Sequence, residues 1–404
     1  MVTARPVGYA YPWDVLGDPA FPARVRALGL TEVALAASYH STRAATPMHP
    51  GHLVVEAREA ALYRPVRERA WAGRRLVPRA ADWVPGDDSF GKAATQLRAA
   101  GISVTAWIVL CHATHLGTAY PDVAVRNCVG DTYPYALCPS RPEVREYAAT
   151  LAAEALRGVP VDGVSLEACG QLGLAHNGRH EKTAGVFPPA AERALSVCCC
   201  PACAAGWAEA GQDPDQVAVR LADATHAVLD GTAPADAGMP ELVGRRIADI
   251  VLATRRASAA ALRTDVLAAV RGARPDLRVT LHGRGDPWAT SPDVALDAES
   301  AADVDAVLMS CWPTTSATVE SLAATRALLP DGVALGAYLT VLPPADPAAV
   351  VDHAGALLGA GATELHLYHL GLAGPSGQAL LAEIVRRCHS DENDGPEEPD
   401  PVDD

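Results

Sequence analysis

Eight short apolar runs, rich in β-branched or aromatic residues, recur along the chain: Pro6–Tyr11, Glu32–Ser38, Ser103–Cys111, Val161–Glu167, Arg278–His282, Ala306–Cys311, Val333–Leu339 and Glu364–Tyr368. They are continuous rather than alternating, which is the pattern of strands buried on both faces. Between them lie Ala/Leu/Arg stretches with helical spacing, among them Pro22–Leu28, Lys92–Ala100, Pro142–Arg157, Val319–Leu329, Ala348–Leu358 and Gly377–Cys388. Several close on glycine, as helices do: Ala27-Leu28-Gly29, Ala99-Ala100-Gly101 and Leu358-Gly359-Ala360-Gly361. Strand–helix alternation repeated eight times predicts an α/β fold, a parallel sheet closed as a (β/α)8 TIM barrel spanning residues 1–389.

A minimal barrel takes about 250 residues, and this chain has 404. The surplus is expected in two insertions, about 39–86 after strand two and about 169–275 after strand four. The second holds a cysteine cluster and two long helical segments, Asp215–Leu229 and Pro240–Arg271. Loops that follow barrel strands lie on the catalytic face, so both insertions are expected to shape access to a site.

Net charge is −15, from 33 basic and 48 acidic residues. The stretch 390–404 has eight acids and no base, which leaves the body at −7. With its prolines and no apolar anchors it reads as a disordered acidic tail. This balance argues against a nucleic-acid partner, which needs basic surface. No apolar run reaches the length of a membrane span, about 18–20 residues. The opening residues do not read as a secretory signal, so the expectation is a cytoplasmic protein whose ten cysteines are largely reduced. Gly86-Asp87-Asp88-Ser89-Phe90-Gly91-Lys92-Ala93 resembles a phosphate loop. Ala93 replaces the hydroxyl that would hold magnesium, so the segment reads instead as a helix start capped by Asp88 or Ser89.

Candidate chemistry gathers where the strands end. Strand one runs into Trp13 and Asp14, strand two into His40, strand three into His112 and His115, and strand four into Glu167. Strand five runs into His282, Arg284, Asp286 and Trp288, and strand six into Trp312. Strand seven carries Tyr338, and strand eight Tyr368 and His369. In a barrel these residues share one mouth. Glu167 closes an apolar strand, and burial there would raise its pKa and make it a proton donor near neutral pH. Flat faces from Trp13, Trp107, Trp288 and Trp312 suit stacking on a sugar ring. The structural alternative for Glu167 is a salt bridge to a rim arginine.

Val161-Asp162-Gly163-Val164-Ser165-Leu166-Glu167 resembles the DGI-x-L-D/E strand-four signature of uncharacterised TIM-barrel glycosyl hydrolase-like families, the family-10-like and related groups. Leu137–Arg145 resembles their CP-x-x-P-x-V-R segment, and Cys198-Cys199-Cys200-Pro201-Ala202-Cys203 their C-F-C-x-x-C. The likeness spans about Ser103–Gly206. It implies Glu167 as the catalytic or substrate-binding acid. Related retaining glycosidases keep a nucleophilic Glu on strand seven, but Gly336-Ala337-Tyr338-Leu339-Thr340 has none. The second carboxylate must then come from Asp286, Asp14, Glu181 or Asp131.

The reading that results is a barrel that binds and hydrolyses a small-molecule or oligosaccharide glycoside. Glu167 is the acid, with Asp286 or Asp14 as its partner. Trp13, His40, His112, His115, His180, Glu181, His282, Arg284, Trp288, Trp312, Tyr338 and His369 contact substrate. No cofactor is required for that catalysis. Cys198, Cys200 and Cys203, joined by Cys169, Cys138 or Cys128, have the makings of a structural zinc site. Free thiols or a disulfide are the other uses of that cluster. Two other functions stay open: a metal-dependent barrel hydrolase or isomerase built on the rim histidines, and a barrel that binds carbohydrate without turning it over.

Overall fold

The computed structural model describes residues 4–175, 182–183, 185–290 and 292–389. Eight parallel strands form the centre: β1 (Arg5–Ala10), β2 (Glu32–Tyr39), β3 (Ser103–Val109), β4 (Gly163–Glu167), β5 (Arg278–Arg284), β6 (Ala306–Ser310), β7 (Ala334–Thr340) and β8 (Glu364–Tyr368). Each pairs with its neighbours in sequence, and β8 returns to β1 with Arg5 opposite Glu364, so the sheet closes without an edge. This is the (β/α)8 barrel that the alternation predicts. The expected tail, 390–404, lies outside the described residues, as do His180 and Glu181.

Strand bounds differ from the apolar runs where local chemistry intervenes. β1 stops at Ala10 because Tyr11 begins a helical turn, Pro12–Val15, whose Asp14 carboxylate accepts the Tyr11 N–H at 2.8 Å. β5 continues past His282 because Gly283 and Arg284 pair with a short strand, Val294–Ala295. Gly86–Ala93 is a helix start: Asp88 accepts the Gly91 N–H at 2.9 Å.

The shell helices include α1 (Phe21–Ala27), α2 (Ser89–Ala99) and α3 (Pro142–Leu156). Those after β4 are α4 (Pro189–Leu195), α5 (Pro201–Glu209), α6 (Pro214–Leu229) and α7 (Arg245–Ala273). The last three are α8 (Ser316–Leu328), α9 (Val350–Gly359) and α10 (Pro375–Arg387). α7 packs along α3, which makes it the crossover helix between β4 and β5. The second insertion proper therefore ends near Gly244, where φ turns to +86° and breaks the expected Pro240–Arg271 helix. A third excursion, not expected from the sequence, follows β3: a helix at Thr114–Ala119 and a hairpin, Ala124–Arg126 with Thr132–Leu137.

Alternate strand residues point into the lumen. At its base lies an ionic layer: Arg5 bonds Glu32 and, at 3.2 Å, Glu364; Arg278 reaches Glu364 at 2.5 Å and Thr105 reaches Glu32 at 2.7 Å. Above it the core is aromatic and polar, with Tyr9, Trp107, Ser165, His282, Tyr338 and His366 all buried. The apolar halves of the strands face the helices.

Candidate active site

β4 carries Glu167 to the mouth of the barrel, where the residue is 92% buried. The next residue, Ala168, has φ +55°, a left-handed conformation that an alanine adopts only where its surroundings hold it. Trp107, on the neighbouring β3, donates its indole N–H to Glu167 Oε2 at 2.7 Å. Among the described residues no arginine pairs with Glu167, and its one side-chain bond is to Trp107 rather than the salt bridge of the alternative reading. Burial raises its pKa to about 7; the Trp107 bond opposes that rise and the nearby charge of Asp293 adds to it.

Aromatic rings surround this carboxyl. Trp107 meets Tyr9 edge-on at 4.9 Å and Tyr39 at 4.6 Å. Tyr368 stacks on Trp312 at 5.0 Å, and both remain partly open to solvent. On the other side His40 stacks on Tyr39 at 4.1 Å and meets His112 at 4.3 Å. Phenols packed this way are pushed far above their ordinary pKa by burial, so they act as neutral hydrogen-bonding groups.

Arg284, at the end of β5, is fixed by Asp293 at 2.7 Å. Asp293 is 99% buried and also accepts the Ser310 N–H at 2.9 Å and the Ser310 hydroxyl at 3.0 Å. The sequence reading did not single out Asp293. Its signal is faint: an acid directly before the short apolar run Val294–Leu296, which returns to pair with β5.

The two favoured partner carboxylates each hold a local bond. Asp286 Oδ1 accepts the Trp288 N–H at 2.9 Å, a turn around Pro287, while Oδ2 lies 3.6 Å from Arg193. Asp14 is 98% buried, with its Oδ2 3.7 Å from His369 Nδ1; the His369 ring stacks on Tyr11 at 4.2 Å, and Tyr11 on Trp13 at 4.4 Å. The Asp14 Oδ1 has no hydrogen-bond partner among the described residues, and burial lifts the Asp14 pKa to about 8. Gly371 passes so close that a Cβ there would fall 2.1 Å from Asp14 Cγ. Asp131 sits exposed in the β3 hairpin, bonded to Asn127 at 3.1 Å.

The remaining predicted residues divide between mouth and rim. His282 and Tyr338 line the lumen, with ring centroids 5.5 Å apart. Trp13 is buried against Tyr63. His115 is carried outward by its helix, beside Glu59 and Arg79 of the first insertion. Trp288 lies under the Arg255 guanidinium at 5.7 Å.

Cys138, Cys198, Cys200 and Cys203 converge at the foot of α5, every sulfur within 4.8 Å of the others. Cys138–Cys203 and Cys138–Cys200 are both 3.7 Å. Cys138 thus completes the set, and Cys169 and Cys128 do not. A tetrahedral zinc–thiolate centre with bonds of about 2.3 Å spaces its sulfurs by about 3.8 Å, so the donors fit such an ion.

No family model and no curated protein matches the chain. Solved structures do. An α-L-fucosidase isoenzyme from Paenibacillus thiaminolyticus superposes with a TM-score of 0.58 at 12% identity, over 96% of this chain and 49% of that one. The glycoside hydrolase domain of PgaB (BpsB) from Bordetella bronchiseptica gives 0.57 at 17% identity, over 94% and 98%. The catalytic domain of β-amylase from Paenibacillus polymyxa gives 0.54 at 12%, over 96% and 98%. The chain spans about half the length of the fucosidase and nearly all of the other two. At these identities the likeness is one of fold, and the neighbours are glycoside hydrolases with TIM barrels.

Proposed function

We propose that the chain is a glycoside hydrolase in which Glu167 is the general acid. The observation that carries this reading is a buried carboxyl at the end of β4, without an arginine partner among the described residues, set among aromatic faces and with its pKa raised to about 7 by burial. Trp107 occupies Oε2, which leaves Oε1 to carry the proton toward a glycosidic oxygen. Trp312 and Tyr368 offer the stacking face. Arg284, His112, His282, Tyr338 and His369 are assigned to hydroxyl groups. Asp286, with a partly exposed carboxylate, is the first partner to test, ahead of the enclosed Asp14.

A panel of aryl glycosides tests the reading. Turnover that Glu167→Gln abolishes while the melting curve is preserved supports it; unchanged turnover in that variant removes Glu167 from the role. A carbohydrate-binding barrel without turnover is the second reading. It is favoured by β7, which ends in Thr340, and by Asp293, whose oxygens are already engaged. Melting shifts with sugars and no hydrolysis would select it. Among the described residues the rim histidines form no three-donor group suited to a metal, so the metallo-hydrolase reading has no such observation behind it.

We also propose that the Cys138–Cys198–Cys200–Cys203 cluster holds a structural zinc that ties the β4 insertion to the loop before α3. Four thiolates leave no open coordination position, so the ion takes no part in the reaction.

A further inference from the structure

Five side chains form a continuous hydrogen-bonded chain through the barrel lumen, from the ionic base upward. Glu364 Oε2 lies 3.0 Å from His366 Nε2, and His366 Nδ1 lies 3.3 Å from the Tyr9 hydroxyl. Tyr9 lies 3.0 Å from the Ser165 hydroxyl, and Ser165 lies 3.0 Å from His282 Nε2. All five are at least 97% buried. The chain ends there: His282 Nδ1 is buried and has no partner among the described residues. Two further buried atoms near it are also unpartnered, the Tyr338 hydroxyl on β7 and the Trp312 indole N–H just after β6. Buried polar atoms without partners are rare, and three on adjacent strands ask for a common occupant.

The direction of the chain follows from its fixed end. Glu364, held ionised by His366, Arg278 and Arg5, can only accept, so His366 Nε2 carries a hydrogen. With one ring hydrogen, His366 has a bare Nδ1 to which Tyr9 donates; with two, Nδ1–H would donate to Tyr9 and every bond above it would reverse, so the tautomer of His282 reports the direction. In the first case, the Tyr9 oxygen accepts from Ser165, and the Ser165 oxygen accepts from His282 Nε2–H. We infer that this relay locks His282 in the Nε2–H tautomer, with a bare Nδ1 that accepts a substrate hydroxyl in a subsite where Tyr338 and Trp312 supply the donors. Glu364, His366, Tyr9 and Ser165 are then positioning residues that never touch the ligand. The subsite rests on the glycoside reading; the tautomer does not.

Nitrogen-15 NMR of histidine-labelled protein separates the two. His282 resonances are assigned by their loss in His282→Gln, and spectra are taken above the ordinary histidine pKa of about 6.5. The expected signature is a proton-bearing Nε2 and a bare Nδ1. Ser165→Ala removes the acceptor and should convert His282 to a mixture or to the Nδ1–H form. Tyr9→Phe frees Ser165 from its direction and should do the same if Ser165→Ala fails to fold. An Nδ1–H wild type, or a tautomer indifferent to the variants that fold, overturns the relay. Where an aryl glycoside is turned over, Ser165→Ala should raise KM about tenfold with a smaller effect on kcat, the loss of one positioned hydrogen bond. An unchanged KM overturns the subsite. If no glycoside is turned over, it is the glycoside reading that fails, and the spectra still decide the relay.

Discussion

The indole N–H of Trp107 donates to Glu167 Oε2 at 2.7 Å, from a ring that is itself 99% buried on the adjacent strand. That bond selects which carboxyl oxygen is free for chemistry, and it favours the ionised form. Trp107→Phe keeps the aromatic packing and deletes the donor. Glu167 should then titrate higher, and the alkaline limb of the pH–rate profile should move upward. kcat should fall about ten- to a hundredfold, because the carboxyl loses its fixed orientation. A limb that stays in place would separate Trp107 from the acid.

Burial of Glu167 also leaves a mark on stability. Its folded pKa of about 7 lies above an unfolded value of about 4.3. Between these values the folded state keeps a proton that the unfolded state has released. The stability from this group is therefore complete at low pH and is lost as pH rises through that window. Glu167→Gln removes the dependence. The variant should match the wild type near pH 4 and exceed it by on the order of 3 kcal/mol above pH 7. Urea titrations across the window measure the difference.

Asp293 is a fixed negative charge that lifts Glu167, held by Arg284 and by two bonds from Ser310. Asp293→Asn should lower the Glu167 pKa and draw the alkaline limb to lower pH, opposite to Trp107→Phe. It should also cost about 1–3 kcal/mol, since Arg284 loses its charged partner. Opposite movement of one kinetic limb in two variants is hard to produce by general damage to the fold.

Gly371 tests how tightly the β8 end is closed over Asp14. A methyl group at 371 would fall 2.1 Å from Asp14 Cγ, and Asp14 is buried, tied to the Tyr11 N–H and set in a helical turn, so it has little room to retreat. Gly371→Ala should destabilise by about 1–3 kcal/mol, read as a lower urea midpoint with an unchanged slope.

The barrel was legible because its signal is periodic: all eight strands overlap the apolar runs from which they were expected, and Glu167 was identifiable as a charge ending one of them. What stayed hidden depends on contacts between distant segments. Tyr9, Ser165 and His366 read in sequence as ordinary strand residues; only closure of the barrel places them in one line. Asp293 looks like a loop acid until Val294–Ala295 folds back onto β5. The hairpin after β3 escaped notice because the segment carries proline, glycine and mixed polarity and lacks clean alternation. Asp286 and Asp14 drew attention by position alone, and position does not reveal that one caps a turn and the other is buried on the Tyr11 N–H.

The cysteine cluster yields a prediction that is independent of any substrate. Four sulfurs this close repel one another once ionised: hydrogen bonds from Cys138, Cys198 and Cys203 hold the Cys200 thiol well below its usual range, while contacts with Cys138 and Cys200 push Cys198 and Cys203 up. A divalent cation removes that conflict by accepting all four as thiolates. Protein purified without chelator should therefore carry about one zinc per chain, measurable by elemental analysis. Cys138→Ser and Cys200→Ser should each lose most of the metal, and both should melt several degrees lower because the β4 insertion loses its anchor. Cys169→Ser, outside the cluster, should keep the metal. Equal zinc in all three variants would place the ion elsewhere.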